Sequence, residues 1–248
     1  MDERLKNFKV KRTIPQTFPA KALSEYRSLE ERLAHAEKVL IGIGAEWHID
    51  GTAQTADDFE DRGRNNIIME AYEVLYQMIQ EKDYFIVTTN TDAVIFRSSL
   101  DSRRITAPCG NVTWRQCSKA CTKDIWEPGE IPDDICPHCK APLTGNTIDA
   151  ENYIEEGYLP QWKLYTGWLA STVNQPLLIL ELGEGFKTPA VIRWPFEKTV
   201  KYNRKSFMYR VNEDFAQLAE GTGERANSIR ENSVEWIRRF CLPGAREP

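Results

Sequence analysis

The sequence predicts an α/β protein, an open parallel sheet of Rossmann type interrupted by a small cysteine-bearing module. Three observations carry that prediction. Apolar runs of strand length alternate with helical patterns along most of the chain, as a parallel sheet with crossover helices requires. Three of the runs end in small or polar residues, at Gly42–Gly44, Thr88–Asp92 and Gly183–Gly185. Four of the six cysteines fall in two close pairs between the second and third of those runs.

Taken in order, "LSEYRSLEERLAHAEK" reads as an amphipathic helix feeding the buried strand "VLIGIG". "NNIIMEAYEVLYQMIQEK" is a second helix, followed by the strand "DYFIVTTN". Beyond the cysteines, "WKLYTGWLAST" is helical and leads into "PLLILELG", then "SFMYRVN". Strand C-termini line one edge of such a sheet, and ligands bind in the crevice there. The cysteine module is therefore an insertion, with 1–105 and 149–248 forming the parallel domain and 106–148 the insert. The glycine turn "GIGAEW" allows close backbone approach to a pyrophosphate, but the third glycine of G-x-G-x-x-G is absent. Tight packing of the next helix explains two glycines equally well.

Cys117 and Cys121 are separated by three residues and Cys136 and Cys139 by two, with fourteen residues between the pairs. Two such knuckles can close one tetrahedral four-thiolate zinc site. With four cysteines as ligands no position stays open for water, so the zinc is structural and contributes folding energy to a loop-rich insert. Disulfides are disfavoured because no apolar secretory leader is seen. The start "MDERLKNFKVKR" makes a reducing cytoplasm the expected compartment. His138, inside the second knuckle, is expected to face solvent.

Composition excludes other classes. The 248 residues carry a net charge of −5 and show no basic stripe, which argues against nucleic acid as a partner. No apolar run approaches the roughly 18 residues of a membrane span.

In order and spacing these motifs resemble the sirtuin family: strand–GxG, a strand ending T-x-N-x-D, a C-x3-C/C-x2-C insert and a strand ending LG-x-G. The resemblance covers roughly residues 37 to 230. It implies that Gly42, Gly44 and Ala45 hold the NAD diphosphate, and that Thr88, Asn90 and Asp92 stand where the family has T-Q-N-I-D. It further implies that Gly183 and Gly185 replace the ends of a G-T-S motif, that Asn212 lies near the adenine ribose, and that Glu224 and Arg225 lie in the loop under the adenine. The segment "LELGEGFKTPAVIRWPFE", Leu180 to Glu197, is similar to class M sirtuins, microbial proteins associated with protein ADP-ribosylation. NAD, an acceptor protein and, by that analogy, a lipoyl-carrier protein are the implied partners.

The family's catalytic histidine sits in an H-G pair before the zinc module, and here the pair is Cys109-Gly110. A thiol near its ordinary value of about 8.5 is a poor general base at neutral pH. Cys109 is equally readable as a small buried apolar residue. His48 is the one histidine that could enter the site, although a loop histidine without a chemical role is the simpler reading. Asn90 can orient a water or a ribose hydroxyl and Asp92 can hold the nicotinamide carboxamide; both residues also suit the cap of a following helix. Glu46 follows the glycine turn, and a carboxylate there repels a diphosphate unless it points away. Trp194–Phe196 reads as core, with Arg193 a weak candidate for a phosphate contact. Two functions fit: an NAD-consuming transferase or deacylase, and a non-catalytic NAD or ADP-ribose sensor.

Overall fold

The computed structural model describes residues 20–49 and 62–241. Helix α1 (Ala20–His35) leads into strand β1 (Lys38–Ile43), and α2 (Arg62–Ile79) into β2 (Asp83–Thr88). A short β3 (Ile105–Thr106) precedes the insert strands β4 (Gly110–Cys117), β5 (Ile125–Trp126) and β6 (Leu143–Thr147). Then follow α3 (Leu159–Ala170), β7 (Leu177–Leu182), α4 (Arg193–Tyr202), β8 (Ser206–Val211), β9 (Ala226–Ile229) and α5 (Ser233–Arg238).

Six strands form one parallel sheet in the order β3-β2-β1-β7-β8-β9. The other three form a separate antiparallel sheet, β5-β4-β6. Side chains alternate across the large sheet, as the two-residue period of a strand dictates. Val39, Ile41 and Ile43 join Leu29, Leu75 and Trp236 in the core on the α1, α2 and α5 side. Leu40 joins Tyr165, Ile192 and Phe196 on the α3 and α4 side. Gly42 has the parity of Leu40, and a Cβ there would come within 2.7 Å of the Phe196 ring and collide with Ile192. Close packing of α4 is the reason for that glycine.

Glu181 shares this face, in a strand whose six residues are all buried. It receives a bidentate Arg210 (2.6 and 2.8 Å), and Arg210 also reaches Glu197 on α4 at 2.7 Å. A buried carboxylate is tolerated only with such charge-assisted bonds. Arg193 is the correction to the phosphate-contact reading. Its guanidinium is buried and donates to the carbonyls of Glu184, Phe215 and Gln217 at 3.2, 2.8 and 3.1 Å. Trp194 also departs from the core reading: it is 57% exposed, whereas Phe196, two residues on, is fully buried. No helix among the described residues is long and apolar enough to cross a membrane.

Candidate functional site

The carboxyl ends of β1, β2, β7 and β8 emerge at one edge, and each continues its ladder one residue further. Gly44 N–H donates to Leu182 O (2.9 Å), Thr89 N–H to Ile43 O (3.1 Å) and Gly183 N–H to Val211 O (2.9 Å). Two cavities open there. The larger, about 530 Å³, is lined by Ala45, Glu46, Gly183, Gly185, Asn212 and Phe215 among others. The smaller, about 440 Å³, is lined by Ala45, His48, Asn90, Cys109, Glu184 and Gly185 among others. Ala45 and Gly185 border both, so a narrow saddle of small residues joins them.

Asn90 is held by its own turn: its side-chain amide donates to Gly44 O (3.0 Å), and its N–H donates to Thr88 Oγ1 (3.1 Å). Thr88 in turn donates to Ile43 O (3.1 Å), so it braces the strand end and lines neither cavity. Asp92 accepts from the N–H groups of Val94 (3.0 Å) and Ile49 (2.8 Å), which makes it a scaffold for two loops. It touches the smaller cavity through His48, whose Nδ1 lies 3.2 Å from Asp92 Oδ2. A carboxylate behind an imidazole fixes the orientation of the ring. The pairing of His48 with Asp92 has no signal in the sequence, because the two are remote in the chain.

Cys109 does face the smaller cavity, 2% exposed, with its sulfur 4.0 Å from Thr188 Oγ1. Burial pushes the thiol above its ordinary value, so it is neutral at pH 7. Gly183 has φ +69°, a left-handed conformation that glycine adopts without strain. Asn212 donates to Glu184 O (3.1 Å) and accepts from the N–H groups of Asp214 and Phe215 (2.9 and 2.7 Å), shaping the wall of the larger cavity. Gly42, Gly44, Glu224 and Arg225 line neither cavity, and Gly44 is covered by Glu184 and Gly183. Arg225 instead donates to the carbonyls of Val200 and Asn203, pinning the end of α4.

Two carboxylates reverse the order of concern. Glu46 points away from the saddle, accepting from Glu213 N–H (2.7 Å), Ser233 N–H (2.7 Å) and the Ser233 hydroxyl (2.5 Å). Glu184 is the one at the junction, 3% exposed and packed against Gly44, its carboxyl accepting from Thr89 Oγ1 at 2.7 Å. Burial is the main cause that pushes its carboxyl up to about 7. No sequence signal marks this, because Thr89 follows β2, far from Glu184 in the chain.

The insert supplies one wall and its own metal geometry. Ile148 N–H donates to Cys109 O (3.0 Å), so the exit of β6 and the entry of β4 meet at the smaller cavity. The four sulfurs of Cys117, Cys121, Cys136 and Cys139 lie within 4.8 Å of one another. Cys117–Cys139 and Cys121–Cys136 are 3.5 and 3.6 Å apart, near the about 3.8 Å edge of a tetrahedral zinc–thiolate site. Ala120 N–H and Lys140 N–H close the two knuckles onto Cys117 O and Cys136 O at 2.8 and 3.0 Å. The residues fit a structural zinc. His138 is no ligand: it pairs with Asp124 at 2.9 Å and stacks on Trp126.

No model of a known protein family matches the chain. It is 24% identical over 181 residues to a "Protein ADP-ribosyltransferase" of Staphylococcus aureus, a match covering 66% of this chain and 58% of that protein. A "Probable bifunctional ADP-ribose hydrolase/ADP-ribosyltransferase" of Fusarium oxysporum f. sp. cubense is 26% identical over 160 residues, 52% of this chain and 26% of its own length. The chain thus spans less than two thirds of either relative. Among solved structures, a Sir2 homologue in complex with ADP-ribose superposes with TM-score 0.55 at 14% identity, over 86% of this chain and 94% of the other. Sir2 with a p53 peptide and NAD gives 0.56 at 12%, over 86% and 95%. The fold is that of the Sir2 sirtuins.

Proposed function

We propose that the chain is an NAD-dependent protein ADP-ribosyltransferase of sirtuin type. The observation that carries this reading is the pair of cavities joined across Ala45 and Gly185 at the carboxyl edge of a parallel sheet, room for one dinucleotide with its halves apart. The similarity to a protein named as an ADP-ribosyltransferase supports the choice of chemistry. In this reading the adenosine half occupies the larger cavity, beside Asn212 and the Phe215 ring. The nicotinamide ribose occupies the smaller, beside Asn90, His48 and Cys109.

NAD supplies an electrophilic ribose carbon once nicotinamide departs with the bonding electron pair. The Asn90 amide positions the ribose, because its rotamer is fixed by the bond to Gly44 O. His48, oriented by Asp92, takes the proton of an attacking acceptor group. Cys109 adds shape and excludes water rather than accepting a proton, since its thiol stays neutral. That favours transfer to a protein acceptor over deacylation, which needs a later deprotonation of a ribose hydroxyl at the Cys109 position. The class M resemblance makes a lipoyl-carrier protein the acceptor to try first. The four-cysteine zinc site holds the wall around Cys109 and Ile148 and takes no part in bond breaking.

Incubation with NAD and quantification of free nicotinamide tests the proposal. Release that Asn90→Ala abolishes supports it, and NAD left intact at every acceptor tried contradicts it. Binding without release would be the signature of a sensor, the reading that the missing base at Cys109 favours.

A further inference from the structure

Glu184 is the one buried carboxyl at the saddle, and it has nowhere to go. Its carbonyl is fixed by Asn212 Nδ2 (3.1 Å) and Arg193 Nη1 (3.2 Å), and its carboxyl packs against Gly44 while accepting from Thr89 (2.7 Å). Among the described residues no cation forms an ion pair with it; Arg193, whose charge acts on it, is committed to backbone carbonyls and to Glu181 at 3.6 Å.

We propose that Glu184 meets the diphosphate of a bound nucleotide as a neutral carboxylic acid that donates a hydrogen bond to it, so that binding takes up a proton. This rests on the reading that one dinucleotide spans both cavities. A linker between them must cross at Ala45 and Gly185, where the backbone bears no large side chain, and Glu184, which lines the smaller cavity, immediately precedes Gly185. An ionised carboxylate beside a doubly charged diphosphate in a water-poor crevice is strongly repulsive, whereas the protonated form offers the donor that a phosphate oxygen needs.

The carboxyl of the free protein, pushed up to about 7, is ready to exchange its proton within the physiological range. Other groups face the same space. Glu181 and Arg193 lie behind Glu184; His48, Cys109, Asp149 and Lys187 line the smaller cavity; Glu46 lines the larger one. Protonation of His48 would also strengthen anion binding at low pH, so the test must separate the two residues.

ADP-ribose, which needs no catalysis, is the probe. Calorimetric titration of the whole chain at pH 8 in two buffers of different ionisation enthalpy should show uptake of close to one proton per ADP-ribose. Affinity should fall roughly 30-fold from pH 6 to pH 8.5 for a group near 7. E184Q, whose amide keeps the donor without the charge, should take up no proton and bind with nearly constant affinity. Wild-type binding with no proton uptake and no pH dependence would overturn the inference and leave the nucleotide reading standing. A pH dependence that E184Q retains would assign it to His48 and equally overturn the proposal. No binding at any pH would overturn the nucleotide reading itself and this inference with it.

Discussion

Replacing Glu184 by glutamine should stabilise the folded protein, and increasingly so as pH rises. Burial moves the carboxyl from an ordinary 4.5 to about 7 in the folded chain. A folded-state value above the unfolded one means stability is fully present below about 4.5 and is lost as pH rises through about 7. The full shift corresponds to about 3 kcal/mol, an upper figure because water and side-chain relaxation soften a buried charge. Glutamine keeps the bond from Thr89 and removes the titration. The stability gap between E184Q and wild type should therefore widen by about 2 kcal/mol between pH 5.5 and pH 8. Urea unfolding at both pH values, with zinc present throughout, measures it, and the comparison cancels pH effects common to both proteins. A gap that stays constant would refute the claim that Glu184 is buried with its charge suppressed.

Gly185→Val should close the saddle without disturbing the fold, because a Cβ there meets only the Phe215 ring at 3.9 Å. ADP-ribose affinity should fall at least tenfold with an unchanged melting temperature; unchanged affinity would put the ligand elsewhere. Metal analysis of protein purified without added zinc should give one zinc per chain, and Cys121→Ser should lose it and expose the insert to protease before the large sheet. A zinc content near zero would contradict the four-thiolate reading. Arg210→Ala should cost about 3–5 kcal/mol in urea unfolding, since it leaves Glu181 buried without its bidentate partner; a loss below about 1 kcal/mol would mean that Glu181 is protonated. Cys109→His should place a base near 6.5 at the smaller cavity and raise deacylase activity while zinc content stays the same. An NAD-cleaving activity indifferent to both this change and His48→Ala would move the chemistry away from this cavity.

Much of the scaffold is legible in the sequence because long apolar runs and amphipathic periods are local signals. β1, β2, β7 and β8 all fall in runs that sequence reading assigns to strands. β3 is two residues long and β9 four, too short to show a period, and each is held by pairing with the preceding strand. α4 hides because its first turn mixes exposed Trp194 with buried Arg193 and Phe196. The two glycines of the turn look alike in one dimension; in the structure Gly42 lies under Ile192 and Phe196, whereas Gly44 lies against Glu184 and Gly183. The cysteine spacing is a sufficient guide to the thiolate cluster, since both knuckles are closed by bonds within four residues. Side-chain roles set by long-range partners are invisible at that level. Arg193 reads as a phosphate contact until Phe215 and Gln217 take its donors, and Glu46 reads as a repulsive group until Ser233 absorbs its charge.

The central claim is that one dinucleotide fills both cavities across Ala45 and Gly185. A crystal structure of the protein soaked with ADP-ribose tests it most directly. Continuous density is expected with the adenosine beside Asn212, the diphosphate against Ala45, Glu184 and Gly185, and the terminal ribose beside Asn90 and His48. Density on another face of the molecule, or a ligand confined to one cavity with its diphosphate in solvent, would contradict it.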